Sequence, residues 1–371
     1  MTHDLVVVGA GILGLATAYL AHKEGQSVHV IDASDRPVGS SILNFGHACF
    51  TGQADIIQPV ARKARDGWSS AAADVGFWAA GSGTWIPAVT DVEMQVLEEF
   101  AEHRGDEQVR LCSPEEMAEA LANPDLAAVG GAHLPLDMRV NPREVAPKLA
   151  QWLAGEGVKF TWNTQVTAVS GGQVSTVRGT FKGSRVIVCP GDQLMGLFPD
   201  IAEAHGVRIC TLAMSLIERP ERIGADFGML TGTSLARYDG FTAMSSAGEL
   251  REELAQREPE LVGMIANLMV TGIDEGLLVG DSHAYDLSPE AFIDERVAAT
   301  LLDRATGLLG IEKPAVKQRW LGHYADSAST NLVLERPDDQ TTVVVVTSGI
   351  GMTLSFGIAD LALRGESVPG F

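Results

Sequence analysis

"VVVGAGILGLATAYLAHKEGQSVHVID", Val6–Asp32, decides the fold. Leu5–Val8 is a short, fully apolar run of the kind that fills a parallel sheet. Gly9-Ala10-Gly11-Ile12-Leu13-Gly14 then turns the chain, and Ile12–Lys23 reads as a helix that ends at Gly25. Ser27–Ile31 is a second strand, closed by Asp32, 18 residues after Gly14. Each glycine has a mechanical role: Gly9 for the tight turn, Gly11 for backbone approach to a pyrophosphate, Gly14 for close helix–strand packing. The helix N-terminus offers free N–H groups and a positive dipole to phosphates. Asp32 is placed for ribose hydroxyls, and its charge disfavours a 2′-phosphate. The adjoining Ala33 and Ser34 share that position. The turn predicts dinucleotide binding but does not separate NAD from FAD.

Working outward, Asp35–Gln53 is a loop too long and polar for a simple connector. Ser40, Ser41, Asn44, Phe45, Gly46 and His47 crowd within it, where it would run along a cofactor. Helices are expected over Ala54–Ala73, Asp91–His103, Pro142–Ala154 and Pro289–Leu309, and another opened by Ser113 with Glu116 three residues on. Trp78–Val89, Val158–Trp162 and Val166–Val169 read as strands, and Val166 would lie near an adenine. "VIVCPGDQ", Val186–Gln193, is a buried strand whose end, Cys189-Pro190-Gly191, reaches the carboxyl edge where open α/β sheets bind ligands. From about 207 to 290, "RICTLAMSLIE", "SLARYDGFTAM" and "EGLLVGDSHAY" alternate like strands of a mixed sheet. The last buried strand, Val343–Val346, leads into "TSGIGMTLSFGIAD". There Gly349, Ile350, Gly351, Met352 and Thr353 make a second backbone-exposing turn at a helix start. Its dipole would stabilise negative charge at the far end of a long cofactor. A flavin dinucleotide has two ends to hold, so this turn favours FAD.

The chain has 371 residues, 46% apolar and 20% charged, with a formal charge of −21. That charge argues against nucleic acid or an anionic membrane as partner. Cys49, Cys112, Cys189 and Cys210 form no CxxC pair, and the nine histidines show no HxH or HExxH. Free thiols in a reducing cytoplasm are expected, and no metal site. Leu5–Ala21 lacks the preceding basic residues of a signal peptide, and no run has membrane-spanning length. The oligomeric state is not legible.

"VVVGAGILGLATAYLA…VHVIDAS", "GSSILNFG", "RVIVCPGD" and "TSGIGMTLSFGIAD" together resemble the glycine/D-amino-acid oxidase-like flavoproteins, the family of sarcosine oxidase and glycine oxidase. "SSILNFGHACFTGQ", "GLLVGDSHAYD" and "RWLGHYADS" resemble a bacterial branch associated with aminophosphonate breakdown. The resemblance implies an α/β (α+β overall) chain: a Rossmann-like FAD-binding domain plus an antiparallel-sheet substrate domain, in a p-hydroxybenzoate-hydroxylase-like architecture. Residues 1–75, 140–206 and 320–371 would form the discontinuous FAD domain, and 76–139 with 207–319 the substrate domain. The Ser40–His47 loop would pass flavin N5, and Gly349–Thr353 the N1 and C2=O side. Sarcosine-oxidase-type members hold FAD through a cysteine near the position of Gly322–His323. No cysteine follows Cys210 here, so non-covalent FAD is expected.

The implied reaction is hydride transfer from the carbon beside an amine to flavin N5, followed by imine hydrolysis. It needs orientation and a deprotonated amine more than a strong base, so neither a triad nor paired carboxylates are expected. Glu98-Glu99 and Glu252-Glu253 read as solvated helix faces. His47, His323 and Tyr324 are the catalytic candidates; Arg237, Tyr238 and His283 are the substrate contacts. Arg237 could grip a carboxylate or phosphonate through its planar fork. Leu43 stands where relatives in the narrower branch carry a basic residue, a departure that bears on substrate preference. Four readings stay open: oxidation of an N-methylated aminophosphonate, a plain glycine or D-amino-acid oxidase or dehydrogenase, a non-catalytic flavoprotein redox partner, and an NAD-dependent dehydrogenase.

Overall fold

The computed structural model describes residues 2–371. Five strands run parallel in one sheet, in the order Thr341–Val346, Gly179–Val188, His3–Val8, Val28–Ile31, Lys159–Thr161. Leu332–Asp338 adds antiparallel beside Thr341–Val346, and Val166–Ser170 with Gln173–Thr176 forms a hairpin extending Gly179–Val188. In the central strand Leu5, Val6 and Val7 are wholly buried, as a strand covered on both faces requires. Helices Ile12–Lys23, Gln58–Val75, Pro142–Gly155 and Gly351–Arg364 cover one face through Leu15, Tyr19, Trp68, Leu149 and Phe356. The last strand and helix therefore return to the first sheet, as the second glycine turn implied.

A second, nine-stranded sheet is antiparallel apart from one parallel pair, Thr84–Ala88 with Gly228–Leu230. Its spine is Arg208–Ile217, paired along its whole length with Val316–Asp326. A small third sheet joins His47–Ala48, Met138–Val140 and Ala79–Ala80. Among the described residues, no helix is long and apolar enough to cross a membrane.

Three local expectations change. "SLARYDGFTAM" is not a strand: Gly232–Leu235 and Asp239–Thr242 are short helices, the first opened by Thr231 and Ser234 as a capping box. These cap residues outweigh the apolar alternation. The helix expected from Pro289 begins at Glu295, where the Asp294 side chain accepts from the Arg296 N–H. Trp78–Val89 splits into Ala79–Ala80 and Thr84–Ala88 around the glycines at 81 and 83. Asp91–Arg104 and the Ser113/Glu116 capping box form as expected.

Candidate active site

The Gly9–Gly14 turn sits between the ends of His3–Val8 and Val28–Ile31. The Gly9 N–H donates to the Ile31 carbonyl (2.9 Å). Asp32 accepts from the Ala10 N–H through Oδ2 (2.6 Å) and from the Ser34 N–H through Oδ1 (2.8 Å). Its carboxylate thus first locks the turn it was expected to serve. A Cβ on Gly14 would lie 1.9 Å from the Gly9 carbonyl oxygen, so helix and strand touch backbone to backbone. The Ser41 hydroxyl accepts from the Ile12 N–H (2.8 Å) and leans over Gly11, 3.1 Å from where a Cβ would stand. Gly11, the N-cap of helix Ile12–Lys23, has no side chain to cap it; with Ser41 on the Ile12 N–H, the Leu13 and Gly14 N–H groups are left for a ligand. The Thr164 and Asn163 N–H groups donate to the Asp32 and Ser34 carbonyls (both 2.8 Å). This brings Val166 to the same edge, buried with Val8 and Ile31. Cys189 pairs through its N–H with the Val8 carbonyl (2.8 Å), so Cys189, Pro190 and Gly191 border the turn.

The 39–46 loop is braced from within. Asn44 donates to the Ser40 carbonyl (2.8 Å) and accepts from the Gly46 N–H (2.7 Å), and the Ser40 hydroxyl donates to the His323 carbonyl (2.5 Å). Ser40 and Asn44 therefore tie the loop to the second sheet. Phe45 packs into that sheet's core. The Trp320 indole N–H donates to the Leu43 carbonyl (3.1 Å). Gly349, at φ +75°, lies against Tyr324: a Cβ there would stand 3.0 Å from the ring carbon Cζ. Ile350 caps the final helix without a side-chain bond, Trp68 donates to the Met352 carbonyl (3.0 Å), and Thr353 reaches the His47 carbonyl (3.5 Å).

The register of the long strand pair explains which candidates meet. Cys210 is flanked by Tyr285 on one side and Tyr324 on the other, so the three share a face. Arg237 donates to the Tyr285 hydroxyl (3.2 Å). His283 lies with its ring 6.2 Å from that of Tyr285 and 6.4 Å from that of Tyr324, and its Nδ1 bonds the Ile265 carbonyl (2.8 Å). Arg237, His283 and Tyr324 thus come together. His323 does not join them: it pairs with Thr211, and successive strand residues point to opposite faces. Its Nε2 is buried with no partner.

His47 heads a different cluster. Its Nε2 bonds the Thr84 hydroxyl (2.8 Å), which donates to Asp137 Oδ2 (2.7 Å), while Arg139 Nη2 donates to the same Thr84 oxygen (3.0 Å). Burial, aided by Arg139, lowers the His47 pKa to about 4, so the ring is neutral at pH 7. Ligand-type atoms of His47, Cys49 and Asp137 lie within 4.8 Å of one another. Thr84 already occupies both His47 and Asp137, and the Arg139 cation stands beside them, so the group reads as a hydrogen-bond network. Tyr238, whose phenol burial pushes well above its usual pKa, lies near Cys49 and Asp137 of this cluster and Asp281 of the other.

Sequence reasoning missed Asp281, Asn267, Tyr285, Asp137 and Arg139. Asp281 is 5% exposed, and its Oδ1 has no partner. Burial raises its pKa to about 7 against the opposing pull of Arg237. Asp281 and Tyr285 lie in "GDSHAYD", on either side of the candidate His283. Nothing local marks Asp137 or Arg139.

These shifts set a pH dependence. Burial lowers His47 from 6.5 to about 4 and His283 from 6.5 to about 3. The unfolded chain then binds more protons at these sites, so both cost stability as pH falls below about 6.5. Asp281, raised from 3.8 to about 7, has the opposite sign: it favours the folded state as pH falls through that window. Thermal midpoints from about pH 7.5 to 4.5 should show His47→Gln losing less than wild type on acidification and Asp281→Asn losing more. Parallel curves for all three proteins would contradict these assignments.

The sequence pattern of the FAD dependent oxidoreductase family (DAO) matches residues 4–364. The chain belongs to that family. This flavoenzyme uses FAD, and the cradle fits it: open N–H groups at the first helix, a glycine approach under Ser41, and a second uncapped helix start at Ile350. No curated protein sequence matches the chain. Among solved structures it is similar to glycine oxidase from Geobacillus kaustophilus (18% identity, 100% of this chain and 96% of that one, TM-score 0.77). It is also similar to L-proline dehydrogenase from P. horikoshii (17%, 99% and 95%, TM-score 0.78). A third is dithionite-reduced L-alpha-glycerophosphate oxidase from Mycoplasma pneumoniae with FAD bound (17%, 98% and 94%, TM-score 0.74). These likenesses bear out the fold: a Rossmann-like nucleotide domain with a substrate domain.

Proposed function

We propose that the flavoenzyme oxidises the C–N bond of a small amine or amino acid that also carries an anionic group. The observation that carries this reading is Arg237. It is half-buried, its fork meets the Tyr285 hydroxyl, and among the described residues no carboxylate lies within 4.0 Å of it. A half-buried guanidinium with Asp281 nearby but no carboxylate in contact leaves its fork open to an anion from the ligand. In a chain of formal charge −21 this is a local exception to the prevailing field. Neighbours named for glycine and proline support an amino-acid-like donor.

On this reading residues 1–75, 140–206 and 320–371 hold the cofactor, and 76–139 with 207–319 the substrate. Strand Val316–Asp326 crosses the boundary at 320 and belongs by pairing to the substrate sheet. FAD supplies the electron-pair acceptor for the substrate C–H. Arg237 holds the anion, Tyr324 presents its ring between the substrate and the Gly349 turn, and His283, neutral at pH 7, adds no competing charge. The imine that leaves is hydrolysed by water to a carbonyl and an amine. An N-methylated aminophosphonate is the narrower candidate, supported by the stretches around 40–53, 276–286 and 319–327. With Leu43 apolar, Arg237 would carry the phosphonate alone.

The purified protein should be yellow, and acid should release its flavin, since no cysteine follows Cys210. Under anaerobic conditions glycine, N-methylglycine, D-alanine, 2-aminoethylphosphonate and its N-methyl derivative should include at least one that bleaches the flavin. Bleaching by glycerol 3-phosphate or a 2-hydroxy acid alone would replace the amine by an alcohol donor.

A further inference from the structure

The Arg237 cluster contains acceptors that the protein leaves without donors. Asp281 Oδ1 and Asn267 Oδ1 are both buried and unpartnered. The two residues are held side by side by paired backbone bonds, Asn267 N–H to the Asp281 carbonyl (3.0 Å) and Asp281 N–H to the Asn267 carbonyl (3.4 Å). His283 Nε2 stands 4.0 Å from Asp281 Oδ2, outside hydrogen-bond reach, with its other nitrogen committed to Ile265. Buried acceptors of this kind cost free energy unless a donor arrives. Arg237 beside them supplies the cationic half of the site, and these two oxygens its accepting half. A zwitterion with an ammonium and an anion matches that pair.

We propose that Asp281 and Asn267 form the ammonium subsite, and that Asp281 is the base that takes the substrate's N–H proton. The proposal rests on the amine-oxidation reading above. The N–H bond breaks and an Asp281 O–H forms. The free amine's lone pair then makes C=N as the C–H bond breaks, its electron pair and hydrogen going to the FAD that family membership supplies. Water converts the iminium to carbonyl and amine, and the proton on Asp281 accounts for the second hydrogen of the two-electron reduction. The charged or titratable groups facing Asp281 are Arg237, Tyr238, Cys210, His283 and Tyr324. Burial places its carboxyl near pH 7, poised to change state in the working range.

Asp281→Asn tests the assignment, with anaerobic flavin reduction by the fastest amine of the panel followed from about pH 6 to 10. In the wild type kcat/KM should rise with an apparent pKa near 7. In the variant it should fall on the order of 100-fold at pH 7 and recover towards pH 10, because only amine that arrives already deprotonated, with a pKa of about 10, can react. A deficit of equal size at every pH, or no deficit, overturns the assignment. A second readout needs no turnover and no variant. 2-Methylalanine has no hydrogen on the carbon beside its nitrogen; its binding to the wild-type holoenzyme, by calorimetry in buffers of different ionisation heat, should release about one proton at pH 6 and about none at pH 8.5. Binding at pH 6 without proton release overturns the proposal. A wild type that no amine reduces, yet that binds 2-methylalanine with proton release, would instead remove the oxidation reading and keep the subsite.

Discussion

Gly14→Ala is expected to yield protein that retains no FAD. The added Cβ would stand 1.9 Å from the Gly9 carbonyl oxygen and 3.3 Å from Val7 Cγ1. The nearest obstacle is backbone, so no rotamer relieves it. The helix must move away from the strand, and with it the Gly11 approach and the Ser41–Ile12 bond (2.8 Å) that shape the phosphate cradle. Overpacking of this kind costs about 1–3 kcal/mol, occasionally more. The loss of cofactor removes its linked stabilisation as well. The ratio of flavin to protein absorbance after desalting, together with a thermal midpoint, reads both effects. A variant that keeps stoichiometric FAD would show that this turn does not carry the pyrophosphate.

Arg237→Ala should raise the apparent KM for the anionic amine about 30-fold, equivalent to roughly 2 kcal/mol for a charge-assisted hydrogen bond. Flavin content should stay unchanged, since Arg237 touches Tyr285 and no part of the Gly9–Gly14 or Gly349–Thr353 turns. Arg237→Lys should restore part of the loss, because a point charge replaces the fork without its bidentate geometry. An unchanged KM would remove Arg237 from the site.

What can be read in the sequence follows the range of the interaction. Val6–Asp32 is legible because its strand, turn, helix and second strand lie within one short segment and each glycine serves a neighbour close in sequence. The second turn is legible as a motif, and its return to the first sheet follows from the length of the cofactor it would help to hold. The substrate side is less so. Tyr324 and Tyr285 meet only because both pair with Cys210 from opposite sides of one strand. That register is invisible without the sheet. It also separates His323 from Tyr324, neighbours in sequence but on opposite faces. Asp281 lies inside a stretch that reads as a strand and carries no motif; what singles it out is the burial that leaves Oδ1 without a donor. His47 stands out as a loop histidine, yet its partners Thr84 and Asp137 come from segments with no motif at all. The stretch from Ser234 to Met244 alternates like a strand, and only its capping geometry shows that it coils instead.

The central claim is that the C–H bond beside a nitrogen delivers the electron pair. The most direct measurement is anaerobic rapid-scan reduction of the holoenzyme by the best amine of the panel, protonated and then deuterated at that carbon. The account predicts flavin bleaching slowed severalfold by deuterium, with a carbonyl product and a free amine in equal amounts. Bleaching at an unchanged rate, or bleaching only by a hydroxy compound with no nitrogen, would contradict it.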